Sequence, residues 1–378
     1  MSDYHILTRM SHGYEPYFLA LGVAAYFNDD IVVPVSQSKT GLIGEIADGK
    51  NIDRRRVYID DEAAKISSAY GVTRENGMDY RTWIANNVTN MNRVETDLRD
   101  HYQTFIATNL EGEKKEFKGN KTRLILNAGS LHDNLGLDAS VVYIFPLRYG
   151  EVTARSKNSG YKGFGNFLIN MEKRRAVSFI PRIHTLSYDN NYLQLNNEEF
   201  TPHMKEAPAQ TDLWLPENSI GMVFSGTGRK VETLKSMADA TAHPIVTGTF
   251  SPVEGGRYTK IVPPRAEFVH VYADPRIKAV IGQTGYGMLW SAWNAGKPVV
   301  FPQYEKGDDD EFLHNSRTIR KFGLGIEIKD PKEIDAAVEA SQACIPAIKA
   351  MNAELMNEFE TLDGIGYMAN RIRELGLY

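Results

Sequence analysis

Short apolar runs alternate with longer amphipathic stretches along most of the chain. An apolar run of strand length followed by a helix-length stretch is typical of β-α units, which build a parallel sheet. The apolar runs predict strands at residues 5–8, 31–35, 123–127, 141–146, 220–224, 244–248, 268–271, 279–282 and 298–302. The amphipathic and charged stretches predict helices at residues 16–27, 164–175, 230–240, 275–278, 289–295, 332–360 and 368–375. The pattern therefore predicts an α/β protein.

The pattern weakens in the middle of the chain. Residues 188–208 are rich in asparagine and show no clear period, so they predict no element. Regular alternation returns at residue 212, where Leu215-Pro216 precedes the apolar run at 220–224. We therefore predict two doubly wound domains that join near residues 205–218.

Composition narrows the class of protein. The 378 residues are 42% hydrophobic and 24% charged, with a net charge of -5 and a single cysteine. A length of about 150 residues per domain agrees with two domains, and ordinary apolar content excludes disorder for the bulk of the chain. The lone Cys344 excludes a disulfide framework and a cysteine-based metal site. Without an apolar run long enough to span a bilayer or a signal-peptide pattern, we expect a cytoplasmic protein.

The strongest chemical pattern is the glycine-rich turn at residues 282–287, between a predicted strand and a predicted helix. The backbone N–H groups of such a turn and the helix dipole face the end of the sheet, where a phosphate binds well. Gly285 and Gly287 allow the backbone to approach a ligand closely. An ordinary tight β-α turn has the same pattern, so this turn alone leaves both interpretations open.

The residues after the turn extend the pattern. A Gly-Lys-Pro sequence at 296–298 opens the next strand, an acidic stretch at 308–311 precedes Asn315, and a Gly-Leu-Gly sequence closes the region at 323–325. This order resembles the nucleotide-sugar half of GT-B glycosyltransferases, in the group of UDP-glycosyltransferases, antibiotic glycosyltransferases and the N-acetylglucosaminyltransferase of peptidoglycan synthesis. The resemblance implies two Rossmann-like domains whose parallel sheets face each other across a cleft.

The donor signature of that group reads His-Gly-Gly-x-Gly-Thr-x-x-Glu-Ala-x-x-x-Gly-x-Pro, followed later by Asp-Gln-x-x-Asn. The matching positions are Gly285, Gly287, Ala292, Gly296, Pro298 and Asn315. The departures are Gln283 for the diphosphate-binding His, Thr284 for a Gly, Met288 for the Thr, Ser291 for the ribose-binding Glu, and Glu311-Phe312 for the sugar-reading Asp-Gln. Gln283 can still donate to a phosphate, whereas Ser291 is a poorer ribose ligand.

A second turn, at residues 225–228 (Ser-Gly-Thr-Gly), resembles the turn that opens the donor domain of the same group. The resemblance therefore implies a donor site composed of Ser225, Gly226, Thr227, Gly228, Arg229, Gln283, Thr284, Gly285, Gly287, Met288, Ser291, Glu311 and Asn315.

The catalytic base is expected in the first β-α loop, where the resembling enzymes place a His or an Asp. His12 is the first choice, because imidazole titrates near neutral pH. The aspartate of the antibiotic enzymes aligns with Tyr14, so Glu15, one residue further on, is the alternative base. The interpretation of His12 as an ordinary loop histidine also stays open.

The function implied by the resemblance is transfer of a sugar, with inversion, from a nucleotide diphosphate sugar to an unidentified acceptor. A UDP-sugar is the favoured donor, and no metal or other cofactor is expected. Residues 1–205 would bind the acceptor and 206–378 the donor, with the C-terminal helix packing back on the N-terminal domain. Two alternatives stay open: a UDP-sugar 2-epimerase of similar fold, and a non-catalytic nucleotide-binding relative, suggested by Gln283 and Ser291.

Two charged stretches have several interpretations. The acidic residues 308–311 are interpreted as a solvated loop in preference to a metal site, with hydrogen bonds to sugar hydroxyls as a further option. The basic, aromatic stretch at 148–175 is interpreted first as a solvated face, then as a surface for anionic lipid or nucleic acid. The acceptor could therefore be a lipid, a small molecule or a nucleic acid, and peripheral attachment to a membrane stays open.

Overall fold

A computed structural model describes residues 3–10, 15–73, 78, 80–132, 134–145, 147–156, 159–192, 194–224, 230–248, 255–261, 267–305 and 308–378. The chain divides into two compact units. The first consists of Met1–Ile180, Gln194–Phe200 and Ile365–Tyr378, and the second of Pro181–Leu193 and Thr201–Gly364. The predicted join near residues 205–218 stays a prediction. Within the described ranges, no helix has both the length and the apolar character needed to cross a bilayer.

The first unit is built on a nine-stranded sheet. Its strands are β1 (His5–Met10), β2 (Asp30–Val33), β3 (Val57–Ile59), β4 (Thr104–Asn109), β5 (Lys114–Lys118), β6 (Thr122–Ala128), β7 (Ser140–Tyr143), β8 (Val177–Pro181) and β9 (Glu198–Thr201). They lie in the order β5-β4-β3-β2-β1-β6-β7-β8-β9. The neighbouring strands β3, β2, β1, β6, β7 and β8 pair parallel in that order. Strand β4 pairs antiparallel with both β3 and β5.

Helices pack on this sheet because the connections between parallel strands must cross its faces. They are α1 (Glu15–Ala24), α2 (Thr40–Gly49), α3 (Asp61–Ala69), α4 (Tyr80–His101), α5 (Tyr149–Ala154) and α6 (Ser159–Glu172). Val94 and Leu98 of α4 join a buried cluster with Phe105 and Phe117 of the β4–β5 hairpin. This apolar cluster fixes the antiparallel edge on the parallel sheet.

The second unit contains a parallel six-stranded sheet. Its strands are β10 (Ser219–Val223), β11 (Ile245–Gly248), β12 (Tyr258–Ile261), β13 (Ile277–Gly282), β14 (Val299–Pro302) and β15 (Gly325–Ile328). They lie in the order β12-β11-β10-β13-β14-β15. Its helices are α7 (Val231–Ala240), α8 (Phe268–Ala273), α9 (Tyr286–Asn294), α10 (Asp310–Phe322), α11 (Ile334–Ser341) and α12 (Ile345–Phe359).

The strand order of the second unit reverses direction between β10 and β13. In open α/β sheets, ligands bind at such a switch point, outside the carboxyl ends of the strands. The same reversal occurs in the first unit, between β1 and β6. At the switch point of each sheet, the chain segments that follow the two neighbouring strands therefore run to opposite faces of the sheet.

The last helix, α13 (Gly364–Glu374), packs on the first unit. The side chain of Ile365 lies against Gly22 of α1, where an added Cβ would come within 3.3 Å of it. The guanidinium of Arg371 pairs with the carboxylate of Glu199 at the start of β9. These apolar and ionic contacts attach the C-terminal residues to the nine-stranded sheet.

Two sequence predictions in the second unit are wrong. Residues 268–271 form helix α8 instead of a strand, and no helix forms at 275–278, where β13 begins at Ile277. Val269 and Val271 are fully buried and flank the partly buried His270, so the start of this short helix shows the alternation that is typical of a strand. The Asp274 carboxylate then accepts the Arg276 amide at 2.9 Å and closes a turn, which prevents a helix there.

Candidate functional site

A pocket lies at the switch point of the six-stranded sheet. The segments that leave β13 and β14 line it together with the starts of α7 and α10. It has a volume of about 240 Å³, which includes space open to solvent. The lining residues are Lys230, Gln283, Thr284, Pro302, Tyr304, Asp308, Phe312 and Ser316. This is the position at which the fold class binds its ligands.

The glycine turn after β13 is held in place by α10. The Gly285 amide donates to the Gln283 carbonyl at 2.7 Å, which makes the turn tight. The Thr284 hydroxyl donates to the Phe312 carbonyl at 3.1 Å, and the Asn315 amide group donates to the Thr284 carbonyl at 2.6 Å. The position of the turn therefore depends directly on the position of α10.

The N-terminus of α9 is open to a ligand. Gly285 is the N-cap and has no side chain to accept the first amides of the helix, which have no partner inside it. Gly285 has a φ of -79°, and an added Cβ would make only ordinary contacts, 3.7 Å from the Phe312 ring and 4.0 Å from the Glu311 carboxylate. The protein itself does not require glycine here. Space for a ligand beside the partial positive charge of the helix end explains it better.

Lys230 brings a buried positive charge to the same pocket. Its side chain is only 4% exposed, and its ammonium lies 2.7 Å from the Glu305 carboxylate and 3.5 Å from that of Asp308. It also donates to the Gln303 carbonyl at 3.2 Å. A lysine at the N-cap of α7 opposes the helix dipole, and burial of its charge is costly without counter-charges. Such an unfavourable position suggests a functional role.

Lys230 was not among the sequence-predicted donor residues. The available signal was its place directly after the Ser-Gly-Thr-Gly-Arg turn, at the start of a helix, where an acidic or small polar residue is the norm.

The acidic stretch corrects a further prediction. Asp308, Asp309 and Asp310 are only 9%, 6% and 6% exposed, so the interpretation as a solvated loop is wrong. The Asp308 carboxylate accepts the Glu305 amide at 2.8 Å and faces the ammonium of Lys230. Asp309 is the N-cap of α10 and Asp310 lies in its first turn, where negative charge is stabilised by the dipole. Local structure explains these buried carboxylates.

The remaining predicted donor residues fall into two groups. Glu311, in the first turn of α10, lies beside Gly285. Asn315 is 2% exposed, and its side-chain amide group donates to the Thr284 carbonyl of the glycine turn. Ser291 and Met288 are 2% and 6% exposed within the packing of α9. The roles of these residues at a sugar or a ribose stay predictions, as does that of Gly287 in the first turn of α9.

Several predicted site residues lie outside the described residues: His12, Ser225, Gly226, Thr227, Gly228 and Arg229. Glu15 is described as the first residue of α1, where its carboxylate complements the helix dipole. The identity of the base therefore stays a prediction.

One group of side chains in the described part of the chain has the spacing of metal ligands: Glu206, Glu267 and His270. The Nδ1 atom of His270 accepts the Ala209 amide at 3.0 Å, so the proton of the neutral ring lies on Nε2. Nε2 faces the Glu206 carboxylate at 3.2 Å and donates to it. This arrangement explains the cluster as a hydrogen-bonded pair, with no nitrogen lone pair offered to a metal.

Two arginines of the basic stretch in the first unit, Arg148 and Arg175, are buried, whereas Lys173 and Arg174 are exposed. Arg148 is 4% exposed, and its guanidinium lies 2.9 Å from the Glu198 carboxylate and 3.5 Å from that of Glu172. The Arg175 guanidinium covers the Tyr143 ring at 3.7 Å. Burial raises the pKa of the Glu172 carboxyl. For Arg148 and Arg175, the interpretation as a solvated face is wrong, and neither side chain is placed to bind anionic lipid or nucleic acid.

Comparison with known proteins identifies the fold. No protein-family model and no curated protein sequence matches the chain. Among solved structures, TcCGT1 in complex with UDP is similar with a TM-score of 0.62 at 9% identity, covering 99% of this chain and 100% of that one. UGT89C1 of Arabidopsis thaliana, complexed with UDP-L-rhamnose, has a TM-score of 0.59 at 8% identity, with coverage of 99% and 100%. The glycosyltransferase SnogD of Streptomyces nogalater has a TM-score of 0.59 at 10% identity, with coverage of 98% and 100%.

These similarities extend over nearly the whole of each chain. The chain therefore has the two-domain GT-B fold of glycosyltransferases, and the predicted fold class is confirmed.

Proposed function

We propose that the protein is a glycosyltransferase that takes a sugar from a nucleotide diphosphate sugar. The observation that carries this proposal is that Lys230 lines the same pocket as Gln283 and Thr284, the turn residues that precede the N-terminus of α9, which has no side-chain cap. The ammonium and the helix N-terminus fit the two phosphates of a nucleoside diphosphate. The UDP and UDP-L-rhamnose held by two proteins of similar fold support a UDP-sugar as the donor.

The ion pairs of Lys230 support an exchange on donor binding. Glu305 is 72% exposed, so its carboxylate can leave the ammonium for water at little cost. The side chain of Asp308 is 6% exposed and stays in place as the permanent counter-charge. A diphosphate oxygen then replaces the Glu305 carboxylate beside Lys230. Without the donor, two carboxylates face the single positive charge of Lys230, and the departure of Glu305 leaves the ammonium able to face a phosphate oxygen.

The same groups serve the chemical step. As the acceptor oxygen bonds to the anomeric carbon, the bond from that carbon to the β-phosphate oxygen breaks, and its electron pair leaves with the diphosphate. Lys230, the α9 amides and the Gln283 side chain stabilise this growing charge. We place the turn at residues 225–229 on the same phosphates, and assign the sugar hydroxyls to Glu311 and Asn315. With these positive groups, the leaving group needs no metal ion.

The acceptor proton needs a base. We assign this role to His12, which follows β1 in the sequence, with Glu15 as the alternative. Attack on the face opposite the leaving diphosphate gives inversion at the anomeric carbon.

A panel of nucleotide sugars tests the function. Free nucleotide, sugar epimers and the thermal shift are followed after incubation of the protein with each donor. Slow nucleotide release supports the transferase, and an epimer without nucleotide release would replace it with an epimerase. Binding without either product would indicate a non-catalytic relative, and no binding of any nucleotide would overturn every function of this class.

The base is tested by His12→Ala. We expect turnover to fall by about 1000-fold while UDP binding is unchanged, because a general base acts only on the chemical step. Retained turnover would move the base to Glu15, and Glu15→Gln then provides the matched measurement.

A further inference from the structure

A short arm of the chain, residues 184–192, docks on α10 of the second unit. Strand β8 ends just before it and β9 begins just after it, and both strands belong to the nine-stranded sheet. Between them the chain leaves the first unit, and Pro181–Leu193 belongs to the second. The arm therefore belongs to the second unit, although the strands before and after it belong to the sheet of the first unit.

The arm contacts one face of α10. The helix positions concerned are His314, Arg317, Thr318 and Lys321, which follow the i, i+3, i+4, i+7 spacing of a single helical face. The Thr318 hydroxyl donates to the Thr185 carbonyl at 2.8 Å, and the Lys321 ammonium donates to the Asn190 side-chain oxygen at 2.8 Å. Such a regular set of polar contacts fixes the position of α10 along its axis and its rotation about that axis.

Tyr188 is central to this contact. Its hydroxyl lies 2.8 Å from Nδ1 of His314, and the two rings are stacked at 5.7 Å with an angle of 8° between their planes. The Arg317 guanidinium donates to the same hydroxyl at 3.3 Å. One side chain of the arm therefore holds two neighbouring turns of α10.

The neighbouring face of α10 belongs to the donor pocket. Phe312 and Ser316 line the pocket, and Asn315, adjacent to His314, donates to the Thr284 carbonyl of the glycine turn at 2.6 Å. The Phe312 carbonyl accepts the Thr284 hydroxyl at 3.1 Å. A small displacement of α10 would therefore move the turn that opens α9.

We propose that Tyr188 is a positioning residue for the donor site. It acts through His314 and α10, which set the glycine turn, and touches neither donor nor acceptor. In naming a diphosphate as the ligand affected, the proposal rests on the proposed function.

The test replaces the hydroxyl and keeps the ring. We expect Tyr188→Phe to weaken UDP binding by about 3- to 10-fold in calorimetry, the range for loss of one or two hydrogen bonds. The matched control is Tyr192→Phe, on the same arm, whose ring contacts His184 within the arm, and its affinity should equal that of the wild type. On an Asn315→Ala background, Tyr188→Phe should have a smaller additional effect, because one of the two hydrogen bonds from α10 to the turn is already lost.

Amide hydrogen exchange without ligand gives a second readout. We expect faster exchange in Tyr188→Phe at residues 283–288 and 310–316, and no change in Tyr192→Phe. Unchanged exchange in both variants overturns the positioning role, whether or not UDP binds. Failure of the wild type to bind any nucleotide overturns the proposed function instead, while exchange still decides the role of Tyr188. Additive losses of affinity on the Asn315→Ala background would also contradict it.

Discussion

The two sheets have the same topological reversal but differ in the polar groups found there. At the switch point of the second unit, α9 begins without a side-chain cap, and Lys230 is paired with a carboxylate that is 72% exposed. At the switch point of the first unit, the described polar groups bind one another. Asn127 accepts the Ser130 amide at 2.7 Å and donates to the Ser130 carbonyl at 3.0 Å. Arg9 donates to the His132 carbonyl at 3.3 Å.

The difference shows that a switch point alone does not make a ligand site. Polar groups that satisfy one another stabilise the loop and resist exchange, because a ligand would have to replace good internal bonds. Groups with an exposed, replaceable partner can change to a ligand at little cost. By this criterion the described groups of the second unit fit the proposed diphosphate site, and those of the first unit fit a structural loop.

The largest expected effect comes from the pocket. Lys230→Met should lower nucleotide-sugar turnover by about 100-fold, because a charge-assisted contact to the leaving group is lost. The measurement is nucleotide release under saturating donor, with the unfolding midpoint recorded alongside. Lys235→Met is the matched control on the same helix, since its ammonium pairs at 2.9 Å with Glu232, one turn earlier on α7. Full activity of Lys230→Met would remove the basis of the comparison.

The loop of the first unit should respond in the opposite way. Asn127→Ala is expected to lower the free energy of unfolding by about 2 kcal/mol, because it leaves buried loop amides without an acceptor. UDP affinity should be unchanged. Urea unfolding and calorimetry measure the two quantities, with the exposed Asn370→Ala as control. A loss of UDP affinity without a loss of stability would place a ligand site in the first unit instead.

Acid should weaken the first unit before it weakens ligand contacts. Burial lowers the pKa of His132 to about 3 and that of His5 to about 4, both from 6.5. Because these folded-state values lie below the unfolded value, the stabilisation is full above pH 6.5 and is lost as the pH falls toward 4. The unfolding midpoint should drop over this range, and less so in His132→Gln. A midpoint independent of pH there would contradict the neutral, buried state of both rings.

The smallest expected effect tests whether the Glu305 carboxylate is a replaceable partner of Lys230. Glu305→Gln should tighten UDP binding by about 3-fold, because a competing negative charge is removed from Lys230 at an exposed position. Calorimetry at low and high salt measures it, and the gain should shrink at high salt. Weaker binding in Glu305→Gln would mean that this carboxylate contributes to the ligand site.

The sequence pattern predicted the fold class and the glycine turn because both depend on local order along the chain. Strand, turn and helix follow one another at residues 277–294, and three of the six matching positions of the resemblance, Gly285, Gly287 and Ala292, lie within that stretch. Residues 268–271 were assigned wrongly, since buried Val269 and Val271 alternate with the partly buried Phe268 and His270, a pattern that also fits a strand.

Burial of charge was the part that local pattern could not predict. The burial of Lys230 depends on Asp308, far along the chain, and that of Arg148 depends on Glu198. From the local sequence alone, a run of acidic or basic residues is interpreted as solvent-exposed, because its partners lie elsewhere in the chain. The arm and its contact with His314 were invisible for the same reason, because Tyr188 lies in a stretch without periodicity.

Amide hydrogen exchange with and without UDP is the most direct test of the diphosphate site. We expect UDP to slow exchange at residues 230–234 and 284–289, because Lys230 and the turn residues Gln283 and Thr284, which precede α9, line the pocket. Residues 127–132 should exchange at the same rate with and without UDP. Protection confined to residues 127–132, or no protection at saturating UDP, would contradict the assignment of the donor site to the second unit.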